Sequence, residues 1–219
     1  MTKRSAPQEL FKHIEREAKR FFRSARGSHD WDHTQRVLGL CLRIGKKERG
    51  NLEILRLAAL LHDIGRAAED RSNGKICHSQ AGASMAGKIL KAHGLAKETI
   101  ERVVHCIRTH RFRKRAVPIS KEAKILFDAD KLDSIGAVGI GRAFLFAGEV
   151  GARLHNKDID ILKTRPYTKE DTAYREYLIK LGKIKDRIFT KEGRRIARER
   201  HRFMVEFFER LNKETDGRL

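Results

Sequence analysis

Apolar residues recur at helical spacing along nearly the whole chain, and no stretch shows the two-residue alternation of a strand. Leu10, Ile14, Ala18 and Phe21/Phe22 form a first stripe, which predicts a helix over about 7–23 with Pro7 in its opening turn. Gly27-Ser28 interrupts the pattern. His33, Val37, Leu40/Cys41 and Ile44 share the next face, in a helix opening near Asp32 or His33 with Asp30 or Asp32 as its N-cap. Gly50-Asn51 breaks that helix and caps a third, over 52–64, with Leu55, Ala58/Ala59 and His62 on its inner stripe and Gly65 as its stop. Residues 66–77 read as a polar loop around the turn signal Ser72-Asn73-Gly74. Helices over 78–92 and 97–112 follow. Pro118-Ile119-Ser120 precedes a sixth over 121–135, where Ala123, Leu126/Phe127, Asp130 and Asp133 align and Asp128 points elsewhere. Residues 136–152 hold five glycines, yet 138–146 keep a short apolar helix signal. A loop over 153–169, containing Pro166, leads to two last helices over 171–188 and 191–211. The expected fold class is all-α.

A chain of 219 residues with 40% hydrophobic content suits one globular domain with a sizeable core. The expected organisation is an N-terminal helix over 1–26 packed on the domain, a core over 27–150, and a loop with C-terminal helices over 151–219 completing the same domain. No apolar run approaches a membrane span, and the N-terminus lacks an apolar signal segment. Cys41, Cys77 and Cys106 are scattered, without metal-type spacing or a disulfide framework. A cytoplasmic location is expected. The formal charge of +20 predicts attraction to phosphate-bearing anions, nucleotides or nucleic acid among them. Its densest run is Arg108, Arg111, Arg113, Lys114 and Arg115, and Arg194, Arg195, Arg198, Arg200 and Arg202 lie on the last helix.

Chemistry concentrates where polar residues interrupt apolar stripes. His62-Asp63 ends the run Leu60-Leu61-His62-Asp63-Ile64-Gly65. A buried charge is costly unless paired or coordinated, and an imidazole beside a carboxylate offers nitrogen and oxygen to a divalent cation. His33, in Asp32-His33-Thr34-Gln35-Arg36-Val37, and Asp130, in Asp128-Ala129-Asp130-Lys131-Leu132-Asp133, sit on two other apolar stripes. Packing the three stripes together brings His33, His62, Asp63 and Asp130 into one polar pocket. Two imidazoles and two carboxylates suit Mn²⁺, Mg²⁺, Ni²⁺, Fe²⁺ or Zn²⁺ without selecting among them.

These residues resemble the metal-binding signature of the HD-domain metal-dependent phosphohydrolase superfamily, carried here by His33, His62-Asp63 and Asp130. The segments His29-Asp30-Trp31-Asp32-His33-Thr34-Gln35-Arg36-Val37 and Asp128-Ala129-Asp130-Lys131-Leu132-Asp133-Ser134-Ile135-Gly136-Ala137-Val138-Gly139-Ile140-Gly141-Arg142 resemble its YedJ/YpgQ-like branch, and the likeness runs over about 29–210. The resemblance implies an HD-domain helical bundle, a divalent metal on His33, His62, Asp63 and Asp130, and nucleotides as the substrate class. His29, Asp30 and Asp133 then become candidates for substrate contact or for support of the ligands. His78 and His110 occupy the places in the motif order where some HD proteins hold a second metal; second-metal and substrate roles both stay open, and His110 is preferred to His105.

The chemistry expected is hydrolysis of a phosphoester or pyrophosphate bond through a metal-activated water. Asp63 is a candidate for orienting that water, and Lys131 and Arg66 for neutralising phosphoryl charge. No glycine-rich phosphate loop is present, so phosphate binding would rest on metal and basic side chains. A mononuclear hydrolase is the favoured expectation. The alternatives are a dinuclear iron HD-fold oxygenase and a nucleic-acid-binding protein with a non-catalytic metal site. A homo-oligomer is compatible with all three.

Overall fold

The computed structural model describes residues 5–23, 30–111 and 117–219. Among these the chain is helical with no strand, as the periodicity predicts. It divides into two compact units, residues 1–130 and 131–219.

The first unit holds α1 (Ser5–Arg20), α2 (Trp31–Glu48), α3 (Leu52–Leu61), α4 (Arg66–Arg71), α5 (His78–Ala92), α6 (Lys97–Thr109) and most of α7 (Lys121–Leu132). Helix α3 is its centre. Leu55, Leu57, Ala58, Ala59, Leu60 and Leu61 are all buried, so the C-terminal half of the helix is enclosed. α1, α2 and α6 pack on it, and α5 packs on α6. Each buried leucine contributes roughly 1.5–3 kcal/mol by leaving water. Helix entry is set by side chains. Asp30 caps α2, accepting from the His33 N–H at 2.9 Å. Asn51 caps α3, accepting from the Glu53 and Ile54 N–H groups.

Two differences from the sequence pattern bear on function. The third helix stops at Leu61 rather than Ile64, and residues 66–71, expected as loop, form α4. Gly65 is therefore not a left-handed helix stop; its φ is −82°. Its missing side chain serves close packing instead. A Cβ there would collide with the His78 carbonyl oxygen and lie 2.5 Å from the Gly82 nitrogen. The expected turn at Ser72-Asn73-Gly74 does form, with φ +50° at Asn73 and +79° at Gly74.

The second unit holds α8 (Gly136–Glu149), α9 (Ala173–Ile179) and α10 (Lys191–Glu214), with short 3₁₀ turns at Ile161–Lys163 and Leu181–Arg187. α10 packs on α8, and α8 on α9. The single helix expected over 171–188 is thus two elements. The break falls at Lys180, whose φ of −132° leaves the helical region, and Gly182 lets the chain pass the Tyr177 carbonyl. Asn156, Thr172, Asp171 and Arg175 form a buried polar brace: Thr172 Oγ1 donates to Asn156 Oδ1 at 2.6 Å, and Arg175 pairs with Asp171 at 2.7 Å. No described helix is long and apolar enough to cross a membrane.

Glu122, on α7, is a long-range tie within the first unit. Its Oε1 accepts from the Asn51 N–H at 2.9 Å, and its Oε2 lies 3.5 Å from Arg102. Burial pushes its carboxyl pKa up, but the Asn51 amide and Arg102 more than offset this and hold it below the ordinary 4.5. A depressed folded-state pKa contributes stability above the unfolded value, which is lost as pH falls through the folded value. Glu122→Gln should therefore cost about 1–2 kcal/mol at pH 7, and the difference from the unsubstituted protein should shrink below about pH 4, as read by urea unfolding across pH. Gly65→Ala should cost more than about 2 kcal/mol, because the obstruction is the backbone of α5, and thermal melting measures it directly.

Candidate metal centre

Helix and turn geometry together assemble the site in the first unit. His33 lies in the first turn of α2, held by the Asp30 cap. His62 and Asp63 occupy the turn between α3 and α4, which the early end of α3 creates. His78 opens α5, His110 follows the last residue of α6, and Asp130 lies near the end of α7. His33, His62, Asp63, His78 and His110 are at most 2% exposed.

Their donor atoms fall into two groups, each within 4.8 Å: His33, His62 and Asp130 in one, Asp63, His78 and His110 in the other. In the first, His33 Nε2 lies 3.3 Å from His62 Nε2 and 3.4 Å from Asp130 Oδ1. In the second, Asp63 Oδ1 lies 3.5 Å from His78 Nε2 and 3.6 Å from His110 Nε2, and those two nitrogens are 3.3 Å apart. Asp63 joins the groups. Its Oδ2 is 3.8 Å from both His33 Nε2 and His62 Nε2, while its Oδ1 faces His78 and His110.

In three of the histidines the other ring nitrogen settles which one faces the pocket. His62 Nδ1 is 2.8 Å from the Ala59 carbonyl and His110 Nδ1 is 2.6 Å from the Ile107 carbonyl. A carbonyl only accepts, so each Nδ1 carries the hydrogen and each Nε2 turns a lone pair to the pocket. His78 Nδ1 does the same toward Glu69 Oε2. Burial pushes the His62 pKa down to about 4; His33 and His110 add to the shift, and Asp63 and Asp130 oppose it. Burial also pushes His78 down to about 4, against Asp63 and Glu69, with Arg66 and His110 assisting. Both rings are therefore neutral near pH 7, the state that binds a cation. A set of four imidazole nitrogens and two carboxylates, buried and largely facing one another, fits divalent cations by donor chemistry.

The four residues expected as ligands are thus brought together, and His78 and His110 join them. His105 does not; it is half-buried, and its Nε2 is enclosed without a hydrogen-bond partner. Asp30 acts on the site through its cap on His33. Arg66 reaches Asp63, with Nη2 3.2 Å from Oδ2. Asp133 is buried in the second unit, where Arg142 Nη1 donates to its carboxylate at 2.6 Å and to its carbonyl at 3.2 Å. Lys131 is half-buried on α7. His29 and the basic residues 113–115 lie outside the described residues. Trp31 is half-buried with its ring 5.6 Å from Phe22. Cys41 and Cys106 are buried, with thiol pKa values pushed up by burial, that of Cys106 to about 12.

Glu69 and its partner Arg111 were not legible as site residues. Glu69 sits in the segment read as loop, and only its placement on α4, i+3 from Arg66, gives its spacing meaning. It accepts from His78 on one oxygen and from Arg111 on the other. Burial would raise its pKa, but these two contacts hold it lowered.

The HD domain family matches residues 30–135, a span that contains all six donors. YpgQ of Bacillus subtilis is 38% identical over 194 residues, covering 86% of this chain and 85% of its own length. The chain belongs to the HD-domain family. Among solved structures, B. subtilis YpgQ in complex with ADP is similar at a TM-score of 0.72 with 34% identity, covering 93% of this chain and 97% of that one. An HD-superfamily hydrolase from Bacillus thuringiensis is similar at 0.76 with 28% identity, covering 96% and 98%. The fold is that of the HD-superfamily hydrolases; HD domains bind divalent metals, and this chain holds two groups of His and Asp side chains that could hold such an ion.

Glu69 orients the imidazole of His78. Removing such a partner typically costs about 10–100-fold in metal affinity. Glu69→Ala should weaken Mn²⁺ binding by about that factor, read by calorimetric titration. Glu69→Gln, which keeps an acceptor for the His78 N–H, should lose less than about tenfold.

Proposed function

We propose that this protein is a metal-dependent phosphohydrolase acting on nucleotide phosphates, at a phosphoester or pyrophosphate bond. The observation that carries this reading is the convergence of His33, His62, Asp63 and Asp130, joined by His78 and His110, in a largely buried cluster within the hydrolase fold. The ADP complex of YpgQ supports nucleotides as the substrate class.

In this reading His33, His62 and Asp130 would hold one divalent cation, and Asp63, His78 and His110 a second. A bound divalent cation supplies Lewis acidity toward water and toward a phosphoryl oxygen. The chain's own residues provide the rest. Three Nδ1 hydrogen bonds fix which imidazole nitrogens face the pocket. Asp63 presents an oxygen to each donor group and would help orient a nucleophilic water. Arg66 and Arg111 give the rim by α4 a cationic edge suited to phosphate oxygens.

The test is phosphate and pyrophosphate release from a panel of nucleoside mono-, di- and triphosphates with added Mn²⁺, Mg²⁺ or Ni²⁺. His62→Ala, which removes a ligand from the pocket, should lower release at least about 100-fold. Absence of release from every compound, or equal release by the variant, would overturn the proposal. The two donor groups sharing one carboxylate also favour a second reading, a dinuclear iron oxygenase. Oxygen consumption by the Fe²⁺-loaded protein, lost in His78→Ala and His110→Ala, would establish that chemistry instead.

A further inference from the structure

Asp63 does more than face the two donor groups. Arg66, the first residue of α4, sets one guanidinium nitrogen against both of its oxygens: Nη2 lies 3.3 Å from Oδ1 and 3.2 Å from Oδ2. These are the oxygens that point at His78 and His110 on one side and at His33 and His62 on the other. The other nitrogen, Nη1, lies 3.4 Å from Glu69 Oε2. Asp63 is 1% exposed, whereas the Arg66 side chain keeps 22% of its surface. One edge of the guanidinium is therefore anchored inside, and part of the side chain is in reach of solvent.

This geometry creates a conflict of charges. A carboxylate buried to this degree needs a counter-charge, and Arg66 supplies it. A divalent cation held by the same two oxygens would stand within a few ångströms of the guanidinium, and like charges at that range repel strongly away from bulk water. Arginine has a long stem and this side chain is partly exposed, so it can yield. Its planar fork also matches phosphate oxygens, which a divalent cation attracts to the same place.

We propose that Arg66 is a charge-exchange residue: it serves Asp63 as the internal cation of the metal-free site, and on metal binding it transfers to a phosphate group of the substrate. Arg66 is then an antagonist of cation binding in the free protein and a binding residue for the anion in the loaded one. Cation and phosphate are coupled through it, so each raises the affinity of the other. The inference deepens the phosphohydrolase reading and rests on it for the metal and for the substrate class. It adds that a single side chain sets the order of events, because the anion site is not released until the cation has taken Asp63.

The experiment is titration calorimetry on metal-free protein with Mn²⁺ alone, then on Mn²⁺-loaded protein with inorganic phosphate. The unsubstituted chain, Arg66→Met and Arg66→Lys are compared. Arg66→Met should bind Mn²⁺ about tenfold or more tighter, because the competing charge is gone, and bind phosphate about tenfold more weakly. Arg66→Lys keeps a charge without the fork, so its Mn²⁺ affinity should stay near that of the unsubstituted protein. Thermal melting gives a second readout that does not depend on activity. Metal-free Arg66→Met should melt below the unsubstituted protein, and Mn²⁺ should raise its Tm by more. Unchanged or weaker Mn²⁺ affinity in Arg66→Met would overturn the proposal, as would unchanged phosphate affinity. If the unsubstituted protein binds no Mn²⁺ at all, the metal reading itself fails, and that result is distinct from a failure of Arg66 alone.

Discussion

The carboxylate of Asp63 is the constraint around which the first unit is organised. It is a charged group in the protein interior, flanked by the apolar end of α3. Such a charge destabilises a fold unless every oxygen is answered. Here the Arg66 guanidinium answers both oxygens, at 3.3 and 3.2 Å, and the four imidazole nitrogens within 3.8 Å are fellow candidate donors toward a cation. The helices that deliver those groups must end or begin at one point, which explains why α3 stops early and why α4 and α5 start close by. Gly65 and Gly82 carry no side chains because the backbones meet there.

Layers of support extend outward from that carboxylate. His62 and His110 are locked by main-chain carbonyls, and His78 by Glu69, which is itself held by Arg111. Asp30 fixes His33 through a helix cap. The result is preorganisation: the imidazole nitrogens already face one another, so they need little rearrangement for a cation to bind. The pKa values near 4 for His62 and His78 belong to the same arrangement, since burial that keeps the rings neutral also keeps their lone pairs available. The second unit is stabilised differently, by its own polar brace of Asn156, Asp171, Thr172 and Arg175.

Much of this was legible in the chain. Stripes such as His33–Val37–Cys41–Ile44 marked helices whose polar members had to be explained, and Asp30 and Asn51 were visible as caps. The pairing of His62-Asp63 with His33 and Asp130 followed from matching faces. Residues 66–71 were misread because a six-residue helix gives too short a period to separate from a polar loop. Glu69 was lost with it. The split near Lys180 escaped for a related reason: the periodicity of 171–188 continues across a backbone break that only the dihedral angles reveal.

By itself, the sequence determined the helical class, the order of the helices and which polar residues interrupt apolar faces, because these follow from local period and capping chemistry. Only the tertiary structure decided how those residues group. The assignment of one Asp63 oxygen to His33 and His62 and the other to His78 and His110 is a matter of ångströms between elements distant in sequence. So is the use of Arg66 as the counter-charge to Asp63. No spacing rule encodes such distances; they emerge only when the helices pack around a buried carboxylate.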